Sequence, residues 1–266
     1  MLTGETRLVG LIGDPVSHSL SPRMQNSAFA ARGLDWAYVP LPVAAERLED
    51  AVTGLVALDF AGANVTIPHK TGVVAFCDEL DEVAERAGSV NTLVVRDRRV
   101  LGASTDGPAV VSLVEAAGAS VLVLGAGGGA QAVATSLLDA GAEALRVAAR
   151  DAERAHALTA RLRTLFPDRQ VEADEGWPPA AGATLLVNAT PIREEVPVEL
   201  EGIRQAVDLA YNADGSPTVL VEAAREAGCE RVVDGVDVLL AQGAASFERW
   251  TDVSAPLDVM RSALGR

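Results

Sequence analysis

The run Val121-Leu122-Val123-Leu124, followed at once by Gly125-Ala126-Gly127-Gly128-Gly129-Ala130, constrains this chain more than any other stretch. A short, unbroken apolar run suits a strand buried on both faces, the situation in a parallel sheet covered by helices. The glycines fit G-x-G-x-x-[GA]. Gly125 makes the tight turn, Gly127 lets a pyrophosphate reach the backbone, and Ala130 lets the helix pack on the sheet. A helix to about Ala140 and a strand over Leu145–Ala149 complete the pattern. A dinucleotide-binding βαβ unit is therefore expected rather than an ordinary glycine-rich turn.

Strand-like and helix-like segments alternate along the rest of the chain. Strands are expected over Leu8–Gly13, Trp36–Val43, Gly62–Thr66, Thr184–Asn188 and Ala206–Leu209, with a hairpin of Val90–Arg96 and Val100–Ser104 joined by Asp97-Arg98-Arg99. Helices are expected from Ser21-Pro22, over Glu46–Leu58, from Gly107 to Ala117, over Asp151–Leu165 and Thr218–Ala227, and in closing segments 236–249 and 255–264. Such alternation means α/β architecture. With 266 residues there is room for two domains. The boundary falls near Asp106: a front α/β domain over 1–106 with a mixed, mainly parallel sheet, and a Rossmann domain over 107–239. The helices of about 240–266 are candidates to return onto the front domain.

Lys70 is the only lysine; the other 21 cationic side chains are arginines. Arginine holds an anion but does not exchange a proton near neutrality, whereas lysine can when burial or a neighbouring charge moves its pKa. Lys70 in Asn64-Val65-Thr66-Ile67-Pro68-His69-Lys70 is thus a candidate proton-transfer group. It is expected in the first turn of a helix, where a cation opposes the macrodipole. Asn64 and Thr66 share a face at the carboxyl end of a strand, where open α/β folds bind ligands. Ser104-Thr105-Asp106-Gly107 offers a carboxylate that either pairs with the lysine or caps the next helix. Ser19 and Ser21 lie beside a helix start suited to a substrate carboxylate, with Ser21 as a plain cap the alternative. His69 reads as a surface histidine.

At the end of the second strand of the βαβ unit stand Arg150, Asp151 and, one turn on, Arg154. Arginines there suit the 2′-phosphate of NADP, and an acid suits the free ribose hydroxyls of NAD unless it caps its helix. Two arginines against one acid favour NADP, with NAD as the alternative.

The net charge of −15 argues against nucleic acid or an anionic membrane as a partner. Cys77 and Cys229 form no metal-ligand spacing, and His18, His69 and His156 have no ligand partners, so no metal site is expected. Reduced thiols, no long apolar run in residues 1–13 and no membrane-length segment lead to the expectation of a cytoplasmic protein. Neither Tyr38 nor Tyr211 has a lysine four residues later, so a Tyr-x-x-x-Lys dehydrogenase is excluded.

Taken in order, Gly13-Asp14-Pro15, Ser19-Leu20-Ser21-Pro22, Gly62 to Lys70, Ser89-Val90-Asn91-Thr92, Thr105-Asp106-Gly107, the glycine loop, Asn188-Ala189-Thr190-Pro191 and Leu239-Leu240-Ala241-Gln242-Gly243-Ala244 resemble the shikimate dehydrogenase family. The resemblance implies an N-terminal substrate domain, a Rossmann domain and a cleft between them. It implies Lys70 and Asp106 as the catalytic pair, with Ser19, Ser21, Asn64, Thr66, Asn91, Tyr211 and Gln242 around a cyclohexene carboxylate. The cofactor residues implied are Gly125, Ala126, Gly127, Gly128, Gly129, Ala130, Arg150, Asp151 and Arg154, with Asn188, Thr190 and Gly235 towards the nicotinamide. The activity implied is reversible NADP-dependent reduction of 3-dehydroshikimate to shikimate in aromatic amino acid biosynthesis, by a monomer or homodimer. The chain departs from the family at Ser104, often Asn, at Asp151, a Thr, at Asp237-Val238, a Gly-Met, and at Arg193-Glu194, where a Gly is usual. These leave NAD-linked quinate/shikimate or aminoshikimate dehydrogenase, and a dinucleotide sensor without turnover, as alternatives.

Overall fold

Two apolar patterns, one interrupted by polar residues and one continuous, give two separate six-stranded sheets. The computed structural model describes residues 2–179 and 182–266. In chain order the elements are β1 (Arg7–Gly13), α1 (Ser21–Ala31), β2 (Trp36–Pro42), α2 (Leu48–Ala57), β3 (Gly62–Val65), β4 (Glu79–Leu80), α3 (Glu82–Ala87), β5 (Thr92–Arg96), β6 (Arg99–Ala103) and α4 (Asp106–Leu113). They continue with β7 (Ser120–Leu124), α5 (Gly128–Asp139), β8 (Ala144–Ala148), α6 (Ala152–Leu165), β9 (Gln170–Ala173), β10 (Leu185–Asn188), β11 (Gln205–Asp208), α7 (Val219–Glu226), β12 (Arg231–Val233), α8 (Gly235–Thr251) and α9 (Leu257–Ala263). The chain divides into two compact units, residues 1–105 with 239–266 and residues 106–238.

The first unit holds a mixed sheet in the order β2-β1-β3-β5-β6-β4. β1 pairs in parallel with β2 and β3, and β5 runs antiparallel to β3 and β6. Ile12, Ala63, Val65, Leu93 and Val95 point to one face and pack under Leu48, Val52 and Leu55 of α2. On α1 and α8, Phe29 stacks on Phe247 with centroids 5.3 Å apart, and Gln25 donates to the Gly243 carbonyl at 2.9 Å. Trp250 of α8 donates to the Leu93 carbonyl of β5. The last helices therefore belong to the first unit's packing.

The second unit holds an all-parallel sheet in the order β12-β11-β10-β7-β8-β9. Successive side chains of a strand face opposite ways. Val121, Val123, Leu145, Val147, Leu185 and Val187 meet α5 and α6 on one face. Leu122, Leu124, Leu186 and Ala206 meet Leu220 and Ala224 of α7 on the other. Strands β7, β8, β9 run outward one way from the centre and β10, β11, β12 the other. The switch point lies between β7 and β10, where parallel α/β sheets open a crevice for ligands.

Several elements differ from their sequence expectation, each for a local reason. Lys70 does not start a helix. It lies in a turn before a short 3₁₀ segment, Gly72–Phe76, whose Gly72 and two valines sustain no α-helix, so the macrodipole argument falls away. The helix after Asp106 ends at Leu113 rather than Ala117, because the Gln205 side chain takes both backbone groups of Glu115, at 2.9 Å each. The hairpin turn is one residue tighter: Asp97 and Arg98 take φ of 51° and 62°, the geometry of a type I′ turn, and Arg99 pairs with Arg96. Ser21 is the first residue of α1, not its cap; Leu20 precedes it and no side chain caps this helix. His69 is buried at 2% exposure, not on the surface, with its Nε2 2.6 Å from the Val43 carbonyl.

Candidate active site

Polar residues at the carboxyl end of β3, at the amino-terminal start of β5, just after β6 and on α8 form one buried network in the first unit. Asn64 accepts from the Tyr38 hydroxyl at 2.9 Å and donates to the Asn91 carbonyl and to Ser246 Oγ, both at 3.0 Å. Asn91 donates to Thr105 Oγ1 at 2.8 Å and to Gln242 Oε1 at 3.3 Å, and accepts from the Thr105 backbone at 2.8 Å. Ser246, fully buried one turn after Gln242, donates back to the Gln242 carbonyl. Asn64, Asn91 and Gln242, separated by up to 178 positions, are thus brought together. Buried amides so engaged are fixed in orientation.

Thr66 follows β3, and its backbone carbonyl accepts from the His69 N–H at 2.9 Å, closing the turn that carries Lys70. The Lys70 carbonyl accepts from Val90 at 2.8 Å, tying the turn to the strand start before Asn91. Lys70 is half-buried. Ser19 Oγ accepts from the Ser21 N–H at 3.2 Å at the start of α1. Asp106, buried at 6% exposure, is the first residue of α4 and of the second unit.

In the second unit the glycine loop runs from β7 into α5. Gly125 has φ of 103°, a conformation a side chain rarely adopts, and sits close under the Ala189 carbonyl. Gly127 caps α5 with no side-chain acceptor for the first N–H groups, and a Cβ there would meet nothing within 4 Å. That is an open cradle at a helix N-terminus, fit for a phosphate. Ala130 is fully buried against the sheet. Gly128 and Gly129 continue the first turn, and Ala126 packs at the edge of the core.

At the end of β8, Arg150 and Arg154 are exposed. Asp151 caps α6 by accepting from the Arg154 N–H at 3.1 Å, and its other oxygen lies 3.3 Å from Arg154 Nε. The acid is therefore engaged as a cap. On β10, Asn188 is fully buried. Its amide donates to Asp208 at 2.8 Å and to the Ile192 carbonyl at 3.1 Å. Its oxygen accepts from the Thr190 N–H at 3.0 Å and hydroxyl at 2.6 Å. The Asn188 and Thr190 side chains are turned on each other rather than outward. The Tyr211 carbonyl accepts from Arg193 at 3.3 Å, and Gly235 packs so closely on the Ala210 carbonyl that no side chain fits.

Sequence reasoning missed Asp208. It is 1% exposed, and burial pushes its carboxyl up to about 6 against hydrogen bonds from Thr218, Ala210 and Asn188, with Asp234 adding to the rise. The available signal was a polar residue ending an apolar strand, as Asn188 does one strand away. Tyr38, Thr105 and Ser246 were missed as partners of the first cluster. Burial pushes the Cys77 thiol to about 11, so it is no nucleophile near neutrality.

Residues 11–93 match the model of the shikimate dehydrogenase substrate binding domain, residues 109–171 that of shikimate / quinate 5-dehydrogenase, and residues 235–264 that of the shikimate 5'-dehydrogenase C-terminal domain. The shikimate dehydrogenase (NADP(+)) of Rubrobacter xylanophilus is 46% identical, over 99% of this chain and 97% of the relative. The chain belongs to the shikimate dehydrogenase family. Among solved structures, shikimate 5-dehydrogenase from Thermus thermophilus in complex with NADP(H) and shikimate superposes with a TM-score of 0.84 at 31% identity, covering 98% of this chain and 99% of that one. The ligand-free 5-ketofructose reductase of a Gluconobacter species gives 0.85 at 29% identity, covering 99% of each chain. Among the described residues no helix is long and apolar enough to cross a membrane.

Proposed function

We propose that this chain interconverts 3-dehydroshikimate and shikimate with NADP(H), a step of aromatic amino acid biosynthesis. The observation that carries this is 46% identity to an NADP-dependent shikimate dehydrogenase along essentially the whole of both chains. The unfilled space over Gly127 and the uncapped start of α5 fit a dinucleotide phosphate. Gly125 to Ala130 would hold the pyrophosphate, and Arg150 and Arg154 the 2′-phosphate. The Asp151 cap contact supports NADP over NAD, because that acid already serves its own helix.

Bound NADP(H) supplies or accepts the hydride at the ring carbon. Lys70 does the proton work: in reduction it gives a proton to the oxygen of the former carbonyl, and in oxidation it takes one from the hydroxyl. Asp106 is assigned the second place in the catalytic pair, orienting the reacting hydroxyl. Ser19 and Ser21 bind the substrate carboxylate beside the start of α1. Asn64, Thr66, Asn91, Tyr211 and Gln242 read the ring hydroxyls. The network that freezes Asn64, Asn91 and Gln242 supports this role, since preset amides cost less to order on binding.

The test is steady-state oxidation of shikimate with NADP by the wild-type protein and by Lys70→Ala. Turnover in the first, reduced about 10²–10⁴-fold in kcat in the second with KM and folding little changed, is expected. Equal turnover removes Lys70 from the mechanism, and no turnover in either removes the function.

A further inference from the structure

We propose that Asp208 is a positioning residue, whose carboxylate fixes the orientation of the Asn188 amide and so shapes the turn 189–192 beside the glycine loop. The inference rests on the reading of the second unit as the NADP(H)-binding unit.

Asn188 ends β10 and Asp208 ends β11, neighbouring parallel strands paired in register at these two residues. Both stand at the carboxyl end of the sheet, and β10 flanks the switch point with β7. An asparagine side chain has two donors and two acceptor positions. Asn188 uses all four: donors to Asp208 and the Ile192 carbonyl, acceptors to the backbone and hydroxyl of Thr190. Its amide is held between Asp208 on one side and the 190–192 turn on the other. What Asn188 controls is the path of the next four residues, and the Ala189 carbonyl in that path lies against Gly125.

The amide has a second, flipped orientation. It would turn an oxygen towards the Asp208 carboxylate and an NH₂ towards the Thr190 N–H. Asp208, acceptor-only when ionised, forbids it. The same carboxylate accepts from the Ala210 N–H at 2.9 Å and from the Thr218 hydroxyl. It thereby anchors the segment carrying Tyr211 and the cap of α7. Of these contacts, the one to Asn188 is the one that bears on the turn beside the glycine loop, and so on dinucleotide binding.

The experiment is calorimetric titration of NADP+ into wild type, Asp208→Ala, Asn188→Ala and the double variant, with hydrogen exchange at Thr190 and Ile192 in the ligand-free proteins. Asp208→Ala is expected to weaken binding by about tenfold or more, the effect of a lost oriented hydrogen bond, and to speed exchange at both amides. Because Asp208 acts through Asn188, the double variant should bind no more weakly than Asn188→Ala, within about twofold. Multiplicative losses, or wild-type binding by Asp208→Ala, overturn the proposal. Should Asp208→Ala fail to fold, the exchange of partners decides. Asn188→Asp sets two carboxylates face to face and should weaken binding, and adding Asp208→Asn should recover part of it. No recovery overturns the proposal. Wild-type protein that does not bind NADP+ sinks the cofactor reading instead, and the exchange rates then judge the positioning role alone.

Discussion

A lysine can hand over a proton near neutrality and an arginine cannot, so position 70 is testable by exchanging one cation for another. Lys70→Arg keeps a charge in a half-buried turn and removes only the proton exchange. Its kcat should fall into the same range as that of an alanine variant, about 10²–10⁴-fold below wild type. Recovery of most of the wild-type kcat would mean that charge alone suffices. Asp208 gives a second residue-level test, in stability. Burial raises its folded pKa to about 6, while an unfolded aspartate titrates near 3.9. The folded state therefore binds the proton more tightly. The resulting stabilisation is complete below about pH 4 and is lost as pH rises through about 6. Asp208→Asn removes that slope. Denaturant unfolding of both proteins at pH 4 to 7 should show the balance moving towards the asparagine variant by up to about 3 kcal/mol with rising pH. A gap independent of pH would place the titration elsewhere.

Element boundaries are set by particular contacts, and two can be broken singly. At the start of α8, Gly235 lies against the Ala210 carbonyl, a backbone atom that cannot swing aside. Gly235→Ala should lower stability by about 1–3 kcal/mol through overpacking, read as a shift in denaturation midpoint. An unchanged midpoint would mean that the loop before Tyr211 yields freely. Asp151→Ala removes the cap of α6 and should cost about 1 kcal/mol, whereas Asp151→Asn, which still accepts from the Arg154 N–H, should cost less. The long elements were legible because their apolar residues recur at strand or helix period, as in β7, α5 and α6. β9 and β12 were not: Gln170-Val171-Glu172-Ala173 and Arg231-Val232-Val233 are edge strands of only four and three residues, whose existence is decided by a neighbour. β4 and α3, two and six residues long, are decided in the same way. Lys70 was found by its rarity, yet its helix was wrong, since no local pattern reports a turn closed by Thr66 and His69. Asp208 and Ser246 were illegible as site residues because their meaning lies in partners 20 and 154 positions away, Asn188 and Thr92.

At the scale of the molecule, a chain with net charge −15 is proposed to hold two anions, a ring acid with a single carboxylate and a phosphorylated dinucleotide. The global field opposes both, so recognition has to come from local donors: the start of α5, the arginines after β8 and the serines at α1. Local recognition of this kind separates close relatives, for a site built to bond a group rejects the analogue that lacks it. The direct measurement is kcat/KM for shikimate and quinate, each with NADP and with NAD. The account predicts that shikimate with NADP exceeds the other three pairings, by about tenfold or more over shikimate with NAD, where the 2′-phosphate is missing. A preference for NAD, for quinate, or tight NADP binding without turnover of either acid would contradict it.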